Sequence, residues 1–252
     1  MTLLPACGLY AITAPSPGVG DDPDLIAEQV DAAIKGGAAM IQYRDKDRPG
    51  GLERSADGRD RRRRTASRLA HLCQERGIPL IINDDPSLAL EVGADGVHIG
   101  IDDGSLEDAR RVVGEDRIVG VSCYDRLDLA IGAADKGADY VAFGSFFPSS
   151  IKTRAVRPDI SILARAKERI DLPIVAIGGI TAERAPDLIA AGASLIAAIT
   201  GVFANRSSEN DGDEERGILA NPGLRDIERA ARGYARLFPP AGDRAHIGAD
   251  RS

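Results

Sequence analysis

The chain has 252 residues, of which 43% are hydrophobic and 28% charged, with a formal net charge of −7 at pH 7. That length suits one large domain with a sizeable core, and the composition is ordinary for a globular protein. The acidic balance argues against general nucleic-acid binding, whereas a site for small anions depends only on local charge.

Short apolar segments alternate with longer amphipathic segments along the chain. Short segments that are almost continuously apolar are typical of strands buried on both faces, as in a parallel sheet. The predicted strands cover residues 9–12, 38–43, 79–82, 96–99, 118–121, 140–143, 174–177 and 194–199. The predicted helices cover residues 24–35, 63–76, 105–113, 127–136, 160–169, 181–191 and 224–238.

A faint repeat marks the junctions between helix and strand. Gly37, Gly93, Gly137 and Gly192 are each interpreted as a glycine that follows a helix and precedes a strand. Glycine adopts the left-handed conformation at a helix C-terminus at little cost. Repeated junctions of this kind indicate repeated β/α units, and eight strands with intervening helices predict a closed (β/α)8 TIM barrel. A doubly wound open sheet is the structural alternative.

Two segments stand outside the regular alternation. Residues 45–60 are rich in Gly and charge and predict a mobile loop, and the basic run 59–64 is interpreted as a solvated helix start or loop rather than a nucleic-acid arm. The barrel domain is predicted to cover residues 1–238. The polar segment 239–252 is predicted to be a disordered tail.

The cysteines and the termini indicate a cytoplasmic protein. Cys7, Cys73 and Cys123 are widely spaced and form no metal-binding pattern, which predicts reduced thiols. Cys123 is interpreted as a packed thiol, since no histidine follows at a spacing typical of a catalytic pair. The N-terminus lacks the basic region of a signal peptide. The uncharged segment 188–204 is short for a membrane span and favours a helix end followed by a buried strand.

Polar side chains gather where the predicted strands end, and in a parallel barrel that edge forms the active site. At the end of the second strand, every second residue points to the same side, and these residues are Gln42, Arg44 and Lys46. Lys152, after the sixth strand, adds a cation from across the barrel. Together these cations predict a site for a multiply charged anion. His98 is interpreted as a structural residue packed at a strand end.

Acidic and glycine residues complete this edge. Asp84 and Asp103 follow two other strands and offer the carboxylates that Mg2+ prefers alongside phosphate oxygens and water. The pair Gly178 and Gly179 precedes a helix that is predicted to begin with Thr181 as its N-cap. Bare backbone N–H groups in such a turn bind a simple phosphate.

In order and spacing, these motifs resemble the thiamine-phosphate synthase family over residues 8–204. The resemblance rests on Leu9-Tyr10-Ala11-Ile12-Thr13, Gln42-Tyr43-Arg44-Asp45-Lys46, Ile82-Asn83-Asp84, Gly96-Val97-His98-Ile99-Gly100, Gly120-Val121-Ser122, residues 144–152 and Ala176-Ile177-Gly178-Gly179-Ile180.

The resemblance implies an enzyme that condenses hydroxymethylpyrimidine pyrophosphate with thiazole phosphate, releasing pyrophosphate by dissociative substitution with Mg2+. The residues implied for the pyrimidine pyrophosphate are Gln42, Arg44, Lys46, Asn83, Ser122 and Lys152. Of these, Arg44, Lys46, Ser122 and Lys152 are the implied catalytic residues, and Asp84 and Asp103 the implied metal ligands. The residues implied for the thiazole phosphate are Ser149, Ser150, Gly179, Ile199 and Thr200.

The chain departs from the family pattern at two positions. Ile101 replaces a glutamine before the metal-binding Asp103, with Asp102 as a rival ligand, and Ile151 replaces a threonine next to Lys152. Two alternatives therefore stay open at this point: a thiazole tautomerase of the same fold, and a thiamine-phosphate-binding protein without catalysis. Small-molecule substrates are expected, without nucleic acid or membrane, and a homo-oligomer is compatible with the sequence.

Overall fold

The computed structural model describes residues 4–13, 22–45, 56–100, 104–148, 157–203, 223–240 and 246–247. The strands are β1 (Leu4–Pro5), β2 (Gly8–Ile12), β3 (Ala38–Tyr43), β4 (Leu80–Asn83), β5 (Gly96–Ile99), β6 (Ile118–Tyr124), β7 (Tyr140–Phe143), β8 (Ile174–Ile177), β9 (Leu195–Ala198) and β10 (His246–Ile247). The helices are α1 (Pro23–Lys35), α2 (Ala56–Arg76), α3 (Pro86–Glu91), α4 (Leu106–Val113), α5 (Leu127–Asp135), α6 (Ser161–Lys167), α7 (Ala185–Ala190), α8 (Thr200–Phe203) and α9 (Leu224–Ala235).

Strands β2 to β9 pair in chain order, all parallel, and β9 pairs back to β2, so the sheet is a closed barrel. This confirms the predicted (β/α)8 TIM barrel and excludes the open sheet. The four glycines at the predicted junctions all have positive φ, between 69° and 118°. The chain therefore leaves each of these helices through a left-handed residue before entering the next strand.

Two apolar cores explain why the strands show no alternation in hydrophobicity. One set of side chains fills the barrel interior, including Tyr10, Met40, Ile81 and Tyr140. The other set lies between the barrel and the helices and includes Leu9, Ile41, Ile82, Val141 and Leu69. Successive residues of one strand thus alternate between two buried environments. Each fully buried aliphatic side chain contributes about 1.5–3 kcal/mol to folding.

The helix predictions need three corrections. Helix α2 begins at Ala56, inside the predicted loop 45–60, because Gly58, Arg61 and Thr65 pack one face of its polar first turns against the molecule. Helix α7 begins at Ala185, since Thr181 forms a turn in which its carbonyl oxygen accepts from the Arg184 and Ala185 amides. The short helices α3 and α8 lie outside the predicted helix ranges, although the junction at Gly93 implied a helix where α3 lies.

The basic run 59–64 lies within α2, and its interpretation as a solvated face is wrong for Arg61. That side chain is 6% exposed, and its Nη2 lies 2.5 Å from Oδ2 of Asp45, itself buried. Arg62 lies 3.3 Å from the carboxylate of Asp85 at the end of β4. The run therefore ties α2 to the strand ends beside Arg44.

Near the termini, β1 and β10 form a two-residue antiparallel pair. Leu4 of β1 packs with the barrel interior. The assignment of residues 1–238 to one domain and of 239–252 to a disordered tail stays a prediction. Within the described ranges, no helix is both long and apolar enough to cross a membrane.

Candidate active site

A cavity of about 700 Å3 opens at the carboxyl ends of the barrel strands. The interior face of nearly every strand contributes to it. Its polar lining residues are Tyr10, Gln42, Arg44, Asn83, His98, Ser122, Tyr124, Asp125, Arg126, Ser145 and Thr200. Its apolar and backbone lining comes from Ile12, Ala142, Gly144, Val175, Ile177, Gly178, Gly179, Ile180, Ala197, Ala198, Ile199 and Gly201.

The strands β3, β4 and β6 place Gln42, Asn83 and Ser122 on one part of the wall. Gln42 is 2% exposed, so its amide is held almost wholly inside the protein. Arg44 follows on the same side of β3, and its backbone N–H donates to Thr13 Oγ1 at 2.9 Å. The Thr13 hydroxyl donates in turn to the Arg44 carbonyl oxygen at 3.2 Å, which fixes the end of β3 against the end of β2.

Asp84 occupies a strained position directly after β4. Its φ is 57°, a left-handed conformation that is costly for a residue with a side chain and that recurs at functional sites. Its backbone N–H donates to the His98 carbonyl oxygen, and its carboxylate accepts from Asn83 Nδ2 at 2.6 Å and from the Gly100 amide at 3.3 Å. The carboxylate therefore lies between the ends of β4 and β5.

The opposite wall is mostly backbone. Gly178 has φ 105° and Gly179 has φ 59°. A Cβ on Gly178 would come within 1.9 Å of Ser145 Oγ, and one on Gly179 within 2.3 Å of the Pro148 carbonyl oxygen. Only glycine fits this turn, so the backbone faces the cavity without side chains. Arg184 lies over the Phe147 ring at 4.9 Å, beside the same turn.

A hydrogen-bonded set of side chains joins these strands inside the barrel. Gln42 Nε2 donates to Tyr10 Oη at 2.6 Å, and Tyr10 Oη lies 2.9 Å from Tyr140 Oη. His98 lies 3.0 Å from Tyr140 Oη through Nδ1 and 2.9 Å from Ser122 Oγ through Nε2. Burial raises the pKa of Tyr10 and Tyr140 well above the usual value for a phenol. Both phenols are therefore neutral and protonated.

Cys123, which directly follows Ser122 in β6, faces away from this cavity. Its side chain is fully buried between the barrel and the helices, and burial raises the pKa of its thiol to about 12. A thiol in that state is a poor nucleophile. The prediction of a packed thiol is confirmed.

A sequence model described as thiamine monophosphate synthase matches residues 9–202, which span the whole barrel from β2 to α8. The chain belongs to the thiamine monophosphate synthase family. This agrees with the resemblance deduced from the motifs.

Curated relatives in this thiamine monophosphate synthase family are similar over most of the chain. A thiamine-phosphate synthase from Thiobacillus denitrificans is 50% identical over 196 residues, covering 78% of this chain and 87% of that protein. One from Methylococcus capsulatus is 44% identical over 234 residues, covering 93% of this chain and 90% of that protein. The solved structure of a thiamine phosphate pyrophosphorylase from Pyrococcus furiosus aligns with a TM-score of 0.67 and 29% identity, covering 92% of this chain and 95% of that one.

The cavity brings together most of the described residues that the thiamine monophosphate synthase resemblance implies. These are Gln42, Arg44, Asn83, Ser122, Gly179, Ile199 and Thr200. Asp84 directly follows Asn83 and is not among the lining residues that the structure describes. Five implied residues lie outside the described ranges, namely Lys46, Asp103, Ser149, Ser150 and Lys152.

Sequence reasoning missed several members of this wall. Tyr10 and Arg126 line the cavity, and Tyr140 lies fully buried beside it. A strand buried on both faces does not reveal which residues point inward, so the pattern of hydrophobicity gave no signal. One usable signal was the residue type, since a buried tyrosine hydroxyl needs a hydrogen-bond partner.

Proposed function

We propose that this chain is a thiamine phosphate synthase, which condenses hydroxymethylpyrimidine pyrophosphate with thiazole phosphate to give thiamine monophosphate and pyrophosphate. The observation that supports this best is the division of one cavity into two unlike walls. Amide, hydroxyl and guanidinium groups suit a pyrimidine ring and a pyrophosphate, and a glycine turn across the barrel suits a second phosphate.

Gln42, Asn83 and Ser122 offer neutral hydrogen-bonding groups to the pyrimidine ring. Arg44, at the mouth end of β3, offers a planar cation to the pyrophosphate. We assign Lys46 and Lys152 to the same anion, on the resemblance alone. These cations stabilise the charge that grows on the leaving group, so the same residues bind the substrate and lower the barrier.

The glycine turn is assigned to the thiazole phosphate. With Gly178 and Gly179 lacking Cβ atoms, a phosphate oxygen can approach the backbone there. Ile199 and Thr200 bring a second stretch of backbone to the same wall. Ser149 and Ser150 would add hydroxyl groups, and Ser149 keeps the hydroxyl that the Thr of the family pattern has.

Mg2+ is the cofactor we propose, and the residues fit it. The Asp84 carboxylate is held at the rim by Asn83 and Gly100, with oxygen chemistry that suits a hard cation. Asp103 stands three positions after Gly100 in the sequence, close enough along the chain to supply a second carboxylate. Mg2+ bound there would neutralise charge on the pyrophosphate.

The proposed reaction is a dissociative substitution. The amino group of the pyrimidine donates electron density, and the bond from the exocyclic carbon to oxygen breaks with its electron pair leaving on pyrophosphate. The thiazole nitrogen then forms the new carbon–nitrogen bond with its lone pair. Because no proton has to be removed from carbon, the wall needs charge and orientation rather than a catalytic base.

Release of pyrophosphate by the purified chain tests this proposal. We expect release only when both substrates and Mg2+ are present, with thiamine monophosphate formed in equal amount. Isomerisation of a thiazole phosphate without pyrophosphate release would instead identify a tautomerase. Binding of thiamine phosphate without turnover would identify a protein that has lost catalysis.

Lys152 gives the sharpest test of the leaving-group assignment. Lys152→Ala removes one cation from the leaving pyrophosphate, and we expect kcat to fall at least about 100-fold, as when one transition-state donor is lost elsewhere. Lys167→Ala is the matched control, because Lys167 is exposed in the last turn of α6. Steady-state pyrophosphate release measures both, and an unchanged rate for Lys152→Ala would remove Lys152 from the mechanism.

Three further assignments are part of this proposal. We place the protein in the cytoplasm, in keeping with its free cysteines. We expect its partners to be small-molecule substrates rather than nucleic acid. We also treat residues 1–238 as the catalytic domain.

A further inference from the structure

A continuous chain of hydrogen bonds crosses the barrel interior from β3 to β6. It runs from Gln42 through Tyr10, Tyr140 and His98 to Ser122, with steps of 2.6, 2.9, 3.0 and 2.9 Å. All of these residues except Tyr140 line the cavity. Its two ends are both residues that the proposed function assigns to the pyrimidine.

A single donor-to-acceptor direction along these hydrogen bonds can be assigned from the Gln42 amide. The amide nitrogen of Gln42 only donates, so Tyr10 Oη accepts from it, and the Tyr10 proton has Tyr140 as its remaining described partner. Tyr140 then donates to His98 Nδ1. A neutral imidazole that accepts at Nδ1 has its proton on Nε2, and Nε2 donates to Ser122 Oγ.

This direction sets the polarity of the cavity wall. Among the described residues Gln42 Oε1 has no hydrogen-bond partner, so it is an acceptor available to a ligand. Ser122 Oγ accepts from His98 and keeps its own proton for donation. The wall thus presents an acceptor from β3 and a donor from β6. Tyr10, Tyr140 and His98, which lie between them, determine these two roles.

Packing holds the middle of the chain in place. The Tyr140 ring stands edge-on to Tyr10, at 88° and 5.9 Å, and stacks on His98 at 16° and 5.5 Å. It lies against Gly120, where a Cβ would come within 1.9 Å of its Cζ atom. The Tyr140 hydroxyl therefore has little freedom to choose other partners.

We propose that Tyr10, Tyr140 and His98 are positioning residues that make the site selective for an aminopyrimidine. Gln42 Oε1 accepts from the exocyclic amino group, and Ser122 Oγ donates to the adjacent ring nitrogen. A 4-oxopyrimidine places a carbonyl oxygen against the Gln42 acceptor and a ring N–H against the Ser122 donor. Neither hydrogen bond can then form, so this analogue binds less well. The inference rests on the proposed function for its choice of substrate.

Tyr140→Phe tests this inference by removing two links without changing ring volume. The quantity to measure is kcat/KM for the 4-amino pyrimidine pyrophosphate relative to its 4-oxo analogue, at saturating thiazole phosphate. We expect this ratio to fall at least about tenfold and KM for the amino substrate to rise about tenfold. KM for thiazole phosphate should stay within about twofold. An unchanged ratio in a folded variant would overturn the inference.

Two variants guard this test against a general packing effect. Tyr43→Phe also removes a hydroxyl from a buried tyrosine, but that hydroxyl is 3.5 Å from Asp45 and outside the chain, so the wild-type ratio should persist. Tyr10→Phe breaks the same chain at another link and must lower the ratio as Tyr140→Phe does. A loss with Tyr43→Phe, or none with Tyr10→Phe, would contradict the inference.

Failure of the proposed function is distinguishable from failure of this inference. Wild-type turnover tests the function by itself. If the wild type makes no thiamine phosphate, calorimetric binding of the same two pyrimidines still measures the selectivity, and Tyr140→Phe must reduce it. Equal affinities of the wild type for both pyrimidines would overturn the positioning role.

Discussion

At the scale of single residues, a ligand can approach the backbone closely after β8 because Gly178 and Gly179 have no side chains. Gly179 combines a positive φ with a neighbouring Pro148 carbonyl oxygen that a Cβ would meet at 2.3 Å. An added methyl group would therefore have to displace backbone and would also occupy the wall assigned to the thiazole phosphate. Both effects act on one substrate rather than on the pyrimidine.

Gly179→Ala should raise KM for thiazole phosphate at least about tenfold, since a misplaced phosphate loses charge-assisted hydrogen bonds, while KM for the pyrimidine changes little. The matched control is Gly77→Ala, where φ is 64° but nothing lies within 4 Å of the added Cβ. That variant introduces similar backbone strain of about 1–2 kcal/mol without a clash. Initial-rate measurements with each substrate varied separately test this; equal KM changes in both variants would refute the assignment.

At the scale of elements, a buried ion pair joins α4 to the starts of β6 and β7. Arg110 in α4 is 8% exposed and donates to carbonyl oxygens of Gly114, Arg117 and Gly137 as well as to Asp139 Oδ2 at 2.8 Å. The same Asp139 oxygen accepts from the Val119 amide at 2.7 Å. One guanidinium thus binds three backbone carbonyl oxygens at two helix–strand junctions, α4 to β6 and α5 to β7, at the end of the barrel opposite the cavity.

Arg110→Met keeps the aliphatic stem but leaves the Asp139 carboxylate and these carbonyl groups without their cation. We expect the free energy of unfolding to fall by about 3 kcal/mol, the lower end for breaking a buried pair, because Asp139 is partly exposed. Arg111→Met is the control, since its pair with Asp108 is exposed to solvent and contributes little to stability. Urea denaturation at constant m-value measures both, and equal losses would contradict this account.

At the scale of the whole molecule, the barrel and several residues that line its cavity were predictable from the sequence, whereas the hydrogen-bonded side chains inside the barrel were not. Strands such as 140–143 and 174–177 were found because strands buried on both faces are continuously apolar. The same property conceals which residues point inward, so Tyr140 was not recognised and His98 was interpreted as packing alone. Arg61 was taken as solvated because its buried partner, Asp45, lies 16 residues earlier in the sequence and comes into contact with it only in the fold.

The reactivity of the three cysteine thiols shows whether the apolar core between the barrel and the helices stays closed. Cys73 and Cys123 are fully buried between barrel and helices, and burial raises the pKa of both thiols to about 12. At pH 8 roughly one thiol in 10,000 would then be the reactive thiolate, and access would require the core to open. Cys7 is only half-buried, in the turn between β1 and β2.

Iodoacetamide at pH 8 should therefore modify the native chain only at Cys7, whereas the chain in urea should take up three labels. Mass spectrometry after timed quenching measures this, and Cys7→Ser should give a native protein that stays unlabelled. The labelling rates of Cys73 and Cys123 should rise together as urea approaches the unfolding midpoint, because one cooperative core protects both. Native labelling of Cys123 as fast as that of Cys7 would mean that the helix layer opens locally beside β6, and that the barrel does not protect its outer core as one unit.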